Sequence, residues 1–262
     1  MANSDAPPLR LDVKAVLFDL DGTLADTAVD LAGALNRVRA DRSLPPMPLE
    51  ALRPHASHGA RGMLGAAFGI GRESPDFELL RDSFLDYYAA ALCEKTQLFE
   101  DAEKVLAEIE RRGLRWGIVT NKATRFTLPI LERLALSART VAVICGDTTA
   151  NTKPHPEPLL AAALALKVGP SDCVYVGDAE RDIVAGRAAG MKTLIASYGY
   201  LGATTRRNIG PPTASSIRCS SCSTGCRRRW GTTRVRRTPS YSVIACSFDD
   251  TRQRAIRDML LR

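Results

Sequence analysis

Apolar positions along this chain fall into two rhythms. Short, nearly continuous apolar runs rich in β-branched residues recur at Val13–Leu20 ("VKAVLFDL"), Leu114–Val119, Val141–Cys145, Cys173–Val176 and Lys192–Ala196. Runs of this length and kind read as strands buried on both faces. Between them the apolar residues lie three and four apart. Asp101–Arg112 carries Val105, Leu106 and Ile109 and stops at Gly113, a helix-ending residue. Arg125–Leu136, Glu157–Lys167 and Glu180–Ala189 share the helical rhythm. Strands alternating with helices predict an α/β fold, a Rossmann-like parallel sheet with helices on both faces.

The stretch from Leu24 to Lys95 contains no strand-like run. Leu31, Leu35 and Val38 keep helical spacing, as do Phe77, Leu80, Phe84 and Tyr87, and "SLPPMP" at Ser43–Pro48 reads as a loop. The pattern predicts a helical cap, residues 24–95, inserted into a core made of residues 11–23 and 96–201. An insert directly after the first strand sits over the carboxyl edge of the sheet, where open α/β proteins bind ligands.

That edge collects polar residues. The first strand ends in "FDLDGT"; Asp19 and Asp21 are two apart and point to one side of a strand, and Gly22 permits a sharp turn. Two adjacent carboxylates repel, and burying them calls for a neutralising cation or a proton held by one of them. Alone, the pair also suits a solvated turn that caps the next helix. "GIVTN" ends its strand with Thr120 and Asn121, a hydroxyl and an amide suited to a phosphate oxygen. "NTKPHPEP" places Lys153 before a proline-stiffened turn, a fixed cation for a dianion. "VYVGDAERD" ends with Asp178 and puts Asp182 in the first turn of a helix, where the helix dipole also favours a carboxylate. In a parallel sheet these strand ends converge on one crevice.

The ordered set "DLDGT", "VTN", "KPHPEP" and "GDAERD", over about Val13–Leu201, resembles the four motifs of the haloacid dehalogenase superfamily of phosphatases. The helical insert resembles that family's small cap. Dehalogenases of the superfamily lack the second Asp of the first motif, so Asp21 favours phosphoryl transfer. The resemblance implies a phosphomonoester hydrolase that uses Mg²⁺. By that likeness Asp19 is the nucleophile, forming an aspartyl-phosphate, and Asp21 the acid and then the base. Thr120, Asn121 and Lys153 would hold the phosphoryl group. Asp19, Asp178 and the backbone carbonyl of Asp21 would hold the metal, with Asp182 supporting them from behind.

Within the family the pattern looks like the phosphoglycolate phosphatase branch, and "SHGARGM" is similar to the cap of N-acetylmuramic acid 6-phosphate phosphatases. The expected partner is a small phosphate ester, 2-phosphoglycolate first, with N-acetylmuramic acid 6-phosphate or another sugar phosphate as the alternative. A β-phosphoglucomutase-like mutase is a third, less favoured reading. Arg53–Met63 is the most polar stretch of the cap and reads as a loop. Arg61, and after it His58, are the candidates for selecting a substrate carboxylate; Arg61 also fits the exposed start of a helix.

Composition changes this picture only at the end of the chain. The formal net charge is +7, yet residues 1–201 sum to −3, while residues 202–262 carry 13 Arg, no Lys and 3 Asp. Cys93, Cys145 and Cys173 read as small buried hydrophobes; Cys219, Cys222, Cys226 and Cys246 lie in the basic tail. One reading makes the tail a metal- or nucleic-acid-binding module. Against it, C-x₂-C supplies half a zinc set, no tail histidine completes it, and basic arms ordinarily mix Lys with Arg. In another frame with GC-rich codons, Ala203–Arg218 yields a segment like the superfamily's missing last element. The tail is therefore expected to be frameshifted and disordered, leaving the sheet uncovered beyond Lys192–Ala196. No apolar run reaches the ~18 residues of a membrane span, and "MANSDAPPLRLD" lacks a secretory pattern. The expected location is cytoplasmic, with no membrane partner and no nucleic acid.

Overall fold

The computed structural model of the chain describes residues 12–140, 142–200 and 243–246. It opens with β1 (Ala15–Phe18), followed by β2 (Ala25–Asp26), α1 (Ala28–Ala40), α2 (Leu49–Leu52), a 3₁₀ turn at Arg53–His58, α3 (Gly59–Phe68), α4 (Phe77–Ala90) and β3 (Gln97–Leu98). The remainder alternates: α5 (Ala102–Arg111), β4 (Arg115–Val119), α6 (Thr124–Arg133), β5 (Ala142–Ile144), α7 (Glu157–Ala165), β6 (Cys173–Gly177), α8 (Glu180–Ala188), β7 (Lys192–Ala196) and β8 (Val243–Cys246).

Six strands pair in parallel in the order β5-β4-β1-β6-β7-β8. The central strand shows why its sequence is uniformly apolar. Successive side chains point to opposite faces. Ala15 and Leu17 pack with Leu159 and Ala162 of α7 and Ala185 of α8. Val16 and Phe18 join Leu106 and Ile109 of α5 and Ile130 and Leu131 of α6 on the other face. A polar residue at any of the four would be stranded in a core; burying a side chain such as Leu17 contributes about 1.5–3 kcal/mol.

The cap leaves the core through β2 and returns through β3, which pair antiparallel as a two-stranded neck, Ala25 opposite Leu98 and Asp26 opposite Gln97. The buried stripe of α4 is Phe77, Leu80, Phe84 and Tyr88. Tyr87 does not belong to it: four residues after Phe84 the helix brings Tyr88 inward, while the Tyr87 hydroxyl donates to Asp41 at 2.9 Å. The polar stretch Arg53–Met63 is not a loop. Pro54 starts a 3₁₀ turn, and α3 begins at Gly59.

Two more expectations are corrected. Cys145 and Cys173 are buried, but Cys93 is only half-buried, at a turn with φ 56°. The edge of β7 is not bare: Val243–Cys246 pairs with Thr193–Ala196 in parallel. The rest of the tail, including Cys219, Cys222 and Cys226, lies outside the described residues, as does Val141. Among the described residues no helix is long and apolar enough to cross a membrane.

Candidate active site

Strand register brings the motif residues to one level. Phe18 faces Ile118 on one side and Val176 on the other. The residues just beyond these strands, Asp19, Thr120 and Asp178, therefore emerge together at the carboxyl edge, each 2% exposed. The turn after β1 needs Gly22, whose φ is +82°; a Cβ there would lie 2.3 Å from Asp178 Oδ2.

Lys153 is the hub. Its side chain is fully covered, and Nζ lies 3.0 Å from Asp19 Oδ1 and 2.8 Å from Asp182 Oδ1. The ammonium also donates to the Val119 carbonyl at 2.8 Å and to Tyr175 Oη at 2.7 Å. Asp182 is fully committed: Oδ1 serves Lys153 and the Tyr175 hydroxyl, and Oδ2 accepts from the Ala179 N–H at 2.9 Å. It thus holds Lys153 and starts α8 at once. Burial opposes its charge, but Lys153 and Arg181 keep its pKa below the usual carboxylate value. The Asn121 side chain is committed to Lys153. Its Nδ2 donates to the Lys153 carbonyl at 2.8 Å and its Oδ1 accepts from the Lys153 N–H at 3.0 Å, so the amide fixes the lysine's backbone. Thr120 Oγ1 accepts from the Lys122 N–H at 3.1 Å.

Asp19 Oδ1 accepts from the Leu20 N–H at 2.8 Å and meets Lys153; among the described residues Oδ2 takes no hydrogen bond. Burial raises the Asp19 pKa to about 6, with Lys153 pulling the other way. Asp178 Oδ2 accepts from Ser57 Oγ at 2.8 Å and the Tyr200 N–H at 2.9 Å. Its Oδ1 is buried without a partner among the described residues. Burial, then Asp19 and Asp182, push its pKa up to about 7. Oxygens of Asp19, Asp178 and Asp182 lie within 4.8 Å of one another. An orphaned carboxylate oxygen within such a cluster fits a hard divalent cation. The Asp21 carboxylate is not part of this cluster.

Asp21 instead faces the cap. Its Oδ1 accepts from Thr27 Oγ1 at 2.5 Å and from Lys122 Nζ at 2.8 Å. Lys122 Nζ lies 4.8 Å from the centre of the Tyr88 ring. Burial works against the Lys122 charge, but Asp21 and Tyr88 raise its pKa. Arg181 donates through Nη2 to the Ser57 carbonyl, tying the first turn of α8 to the cap's 3₁₀ turn. A cavity of about 1370 Å³ opens between these groups and the cap, and Asp19, Asp21, Lys122, Lys153 and Arg181 all line it. His58 and Arg61, both exposed, also line it from the cap side. The His58 pKa is lowered by burial, then by Arg181, Arg61 and His55.

Sequence reasoning missed Lys122, Tyr175, Arg181 and Ser57. Tyr175 lies inside an apolar strand run, and Lys122 and Arg181 stand beside motif residues with nothing local to mark them as buried. Only their proximity to the motifs could have signalled them.

Comparison with known proteins covers the stretch of chain that holds these residues. The model of a family described as haloacid dehalogenase-like hydrolase matches residues 16–196. An N-acetylmuramic acid 6-phosphate phosphatase of Pseudomonas aeruginosa is 44% identical over 192 residues, 73% of this chain and 85% of that protein. A phosphoglycolate phosphatase of Xanthomonas campestris is 46% identical over 187 residues, 71% of this chain and 84% of its own. Among solved structures, a predicted phosphoglycolate phosphatase from Haemophilus somnus superposes with a TM-score of 0.64 at 27% identity, covering 72% of this chain and 87% of that one.

Proposed function

The chain belongs to the haloacid dehalogenase-like hydrolase family, and from that premise we propose that it is a phosphatase that hydrolyses phosphate monoesters of carboxylated alcohols through Asp19. The observation that carries the reading is a buried carboxylate at the end of β1, held by a fully covered lysine at 3.0 Å, with its second oxygen free of hydrogen bonds among the described residues.

Asp19 Oδ2 attacks phosphorus, an O–P bond forms, and the ester O–P bond breaks. The departing alkoxide takes a proton from Asp21, which then accepts one from the water that attacks the aspartyl-phosphate. That second displacement frees Asp19 and inorganic phosphate. Lys153 stands beside Asp19, where negative charge accumulates, and Thr120 sits at the same strand edge. Asp19, Asp178 and the Asp21 backbone carbonyl would hold Mg²⁺, which when bound draws charge from the phosphoryl oxygens. Asn121 acts through Lys153, and Asp182 through the same lysine.

Arg61 on the cap side would face the carboxylate of the leaving alcohol, beside His58. The first substrate is 2-phosphoglycolate. A cavity of about 1370 Å³ leaves room for a larger alcohol and so favours the second reading, N-acetylmuramic acid 6-phosphate. Assay both esters and p-nitrophenyl phosphate with Mg²⁺ and with chelator. Turnover of one carboxylated ester that disappears with chelator is expected; no turnover of any ester overturns the proposal.

A further inference from the structure

Resting on that reading, we propose that Lys122 is a positioning residue for Asp21, and that the cap supplies the ring that holds it there. Both donors that reach Asp21, Thr27 Oγ1 and Lys122 Nζ, land on Oδ1. Among the described residues Oδ2 takes none, and Asp21 lines the cavity. A carboxyl group anchored on one oxygen has a single oxygen left to carry a proton to a leaving alcohol. The anchor fixes which oxygen that is and where it points.

Lys122 itself is held from the cap. Its side chain is 9% exposed, and its ammonium lies 4.8 Å from the centre of the Tyr88 ring. Tyr88 is 1% exposed on α4, stacked on Phe84 at 6.4 Å and tilted against Phe126 of α6 at 5.4 Å. A desolvated ammonium over an aromatic face is attracted by its quadrupole. The chain of contacts runs from cap helix to Tyr88, to Lys122, to Asp21, so the acid is aligned where the cap lies on the core. Tyr88, whose buried hydroxyl interacts with Lys122, borders the same cavity.

The test exploits leaving groups. An alkoxide needs a proton to depart, whereas p-nitrophenolate leaves without one. In Lys122→Met, the first-turnover rate on an alkyl phosphate such as 2-phosphoglycolate is expected to fall by about 100-fold, the scale of lost general-acid assistance. First-turnover release of p-nitrophenolate should fall by less than about 10-fold and appear as a burst, because Asp21 no longer activates the second water well. A merely structural role would lower both rates by one factor, with no burst, and that result overturns the proposal. If Lys122→Met does not fold, Lys122→Gln keeps a neutral donor one bond shorter. It should show the same order of losses at smaller size, and equal losses again overturn the proposal. Wild-type protein without turnover of either ester sinks the phosphatase reading instead; wild-type turnover with equal losses in the variants sinks only the role of Lys122.

Discussion

At the scale of single residues, the site is a set of carboxylates whose surroundings push them apart. Asp19 and Asp178 have pKa values near 6 and 7, against 3.8 for the free side chain, because both are buried beside other acids. Asp182, equally buried, is held low by Lys153 and Arg181. The signs give a prediction. Between about pH 4 and 7 the folded, metal-free protein holds protons at Asp19 and Asp178 that the unfolded chain has lost, so their contribution to stability declines as pH rises. Asp182 has the opposite sign, and its contribution is lost only in more acid solution. A cation binds the deprotonated carboxylates, so its stabilisation should grow over the same range. Melting temperatures in chelator and in Mg²⁺ should therefore diverge from pH 5 to pH 8; a gap that stays constant would refute the assignment of these two groups to the metal. The motif acids were legible in the sequence because two-residue spacing and strand ends are local signals. Lys122 and Arg181 were not, because nothing local distinguishes a buried lysine or arginine from a solvated one when its partners lie a hundred residues away.

At the scale of elements, what the sequence made clear was rhythm, and what it hid was partnership. The central strands declared themselves by continuous apolar runs, since both faces of β1, β4 and β6 are covered. The neck between β2 and β3 has two residues on each side and no pattern to read. The stripe of α4 was misread by one residue because adjacent tyrosines fit the helical period about equally. The segment after β7 is a further case. Tyr200 Oη donates to Asp26 Oδ1 at 2.8 Å and accepts from the Ala28 N–H at 2.9 Å, while its own N–H reaches Asp178. One residue thus joins the neck, the start of α1 and the acid of β6. Tyr200→Phe would strand the buried Ala28 N–H and remove a donor from Asp26. It should destabilise the protein by about 1–3 kcal/mol, read as a lower midpoint in urea. The Asp178 contact is made by the backbone and survives, so an unaltered midpoint would show that the hydroxyl does not tie neck to core.

At the scale of the whole molecule, the chain divides between a body that makes the site and a tail that contributes one described strand. Every group placed at the site lies at or before Tyr200, and the family match ends at residue 196. Beyond that point the composition turns from −3 to strongly basic, and only Val243–Cys246 is described, as a parallel partner of β7. No strand signal in the tail outweighs its arginine clumps; the edge of β7 is satisfied by a segment that begins 47 positions after β7 ends. Strand edges left open are templates for association between chains. Truncation after Gly202 should therefore leave kcat per folded molecule within about twofold, well under 1 kcal/mol in the barrier, while raising the aggregated fraction in sedimentation velocity. Loss of turnover with the folded fraction unchanged would mean that the tail reaches the site after all. Stoichiometric zinc or nucleic-acid binding by the full chain, absent from the truncation, would restore the tail as a module in its own right. Equal solubility of the two chains would show that β8 does not protect the edge it covers.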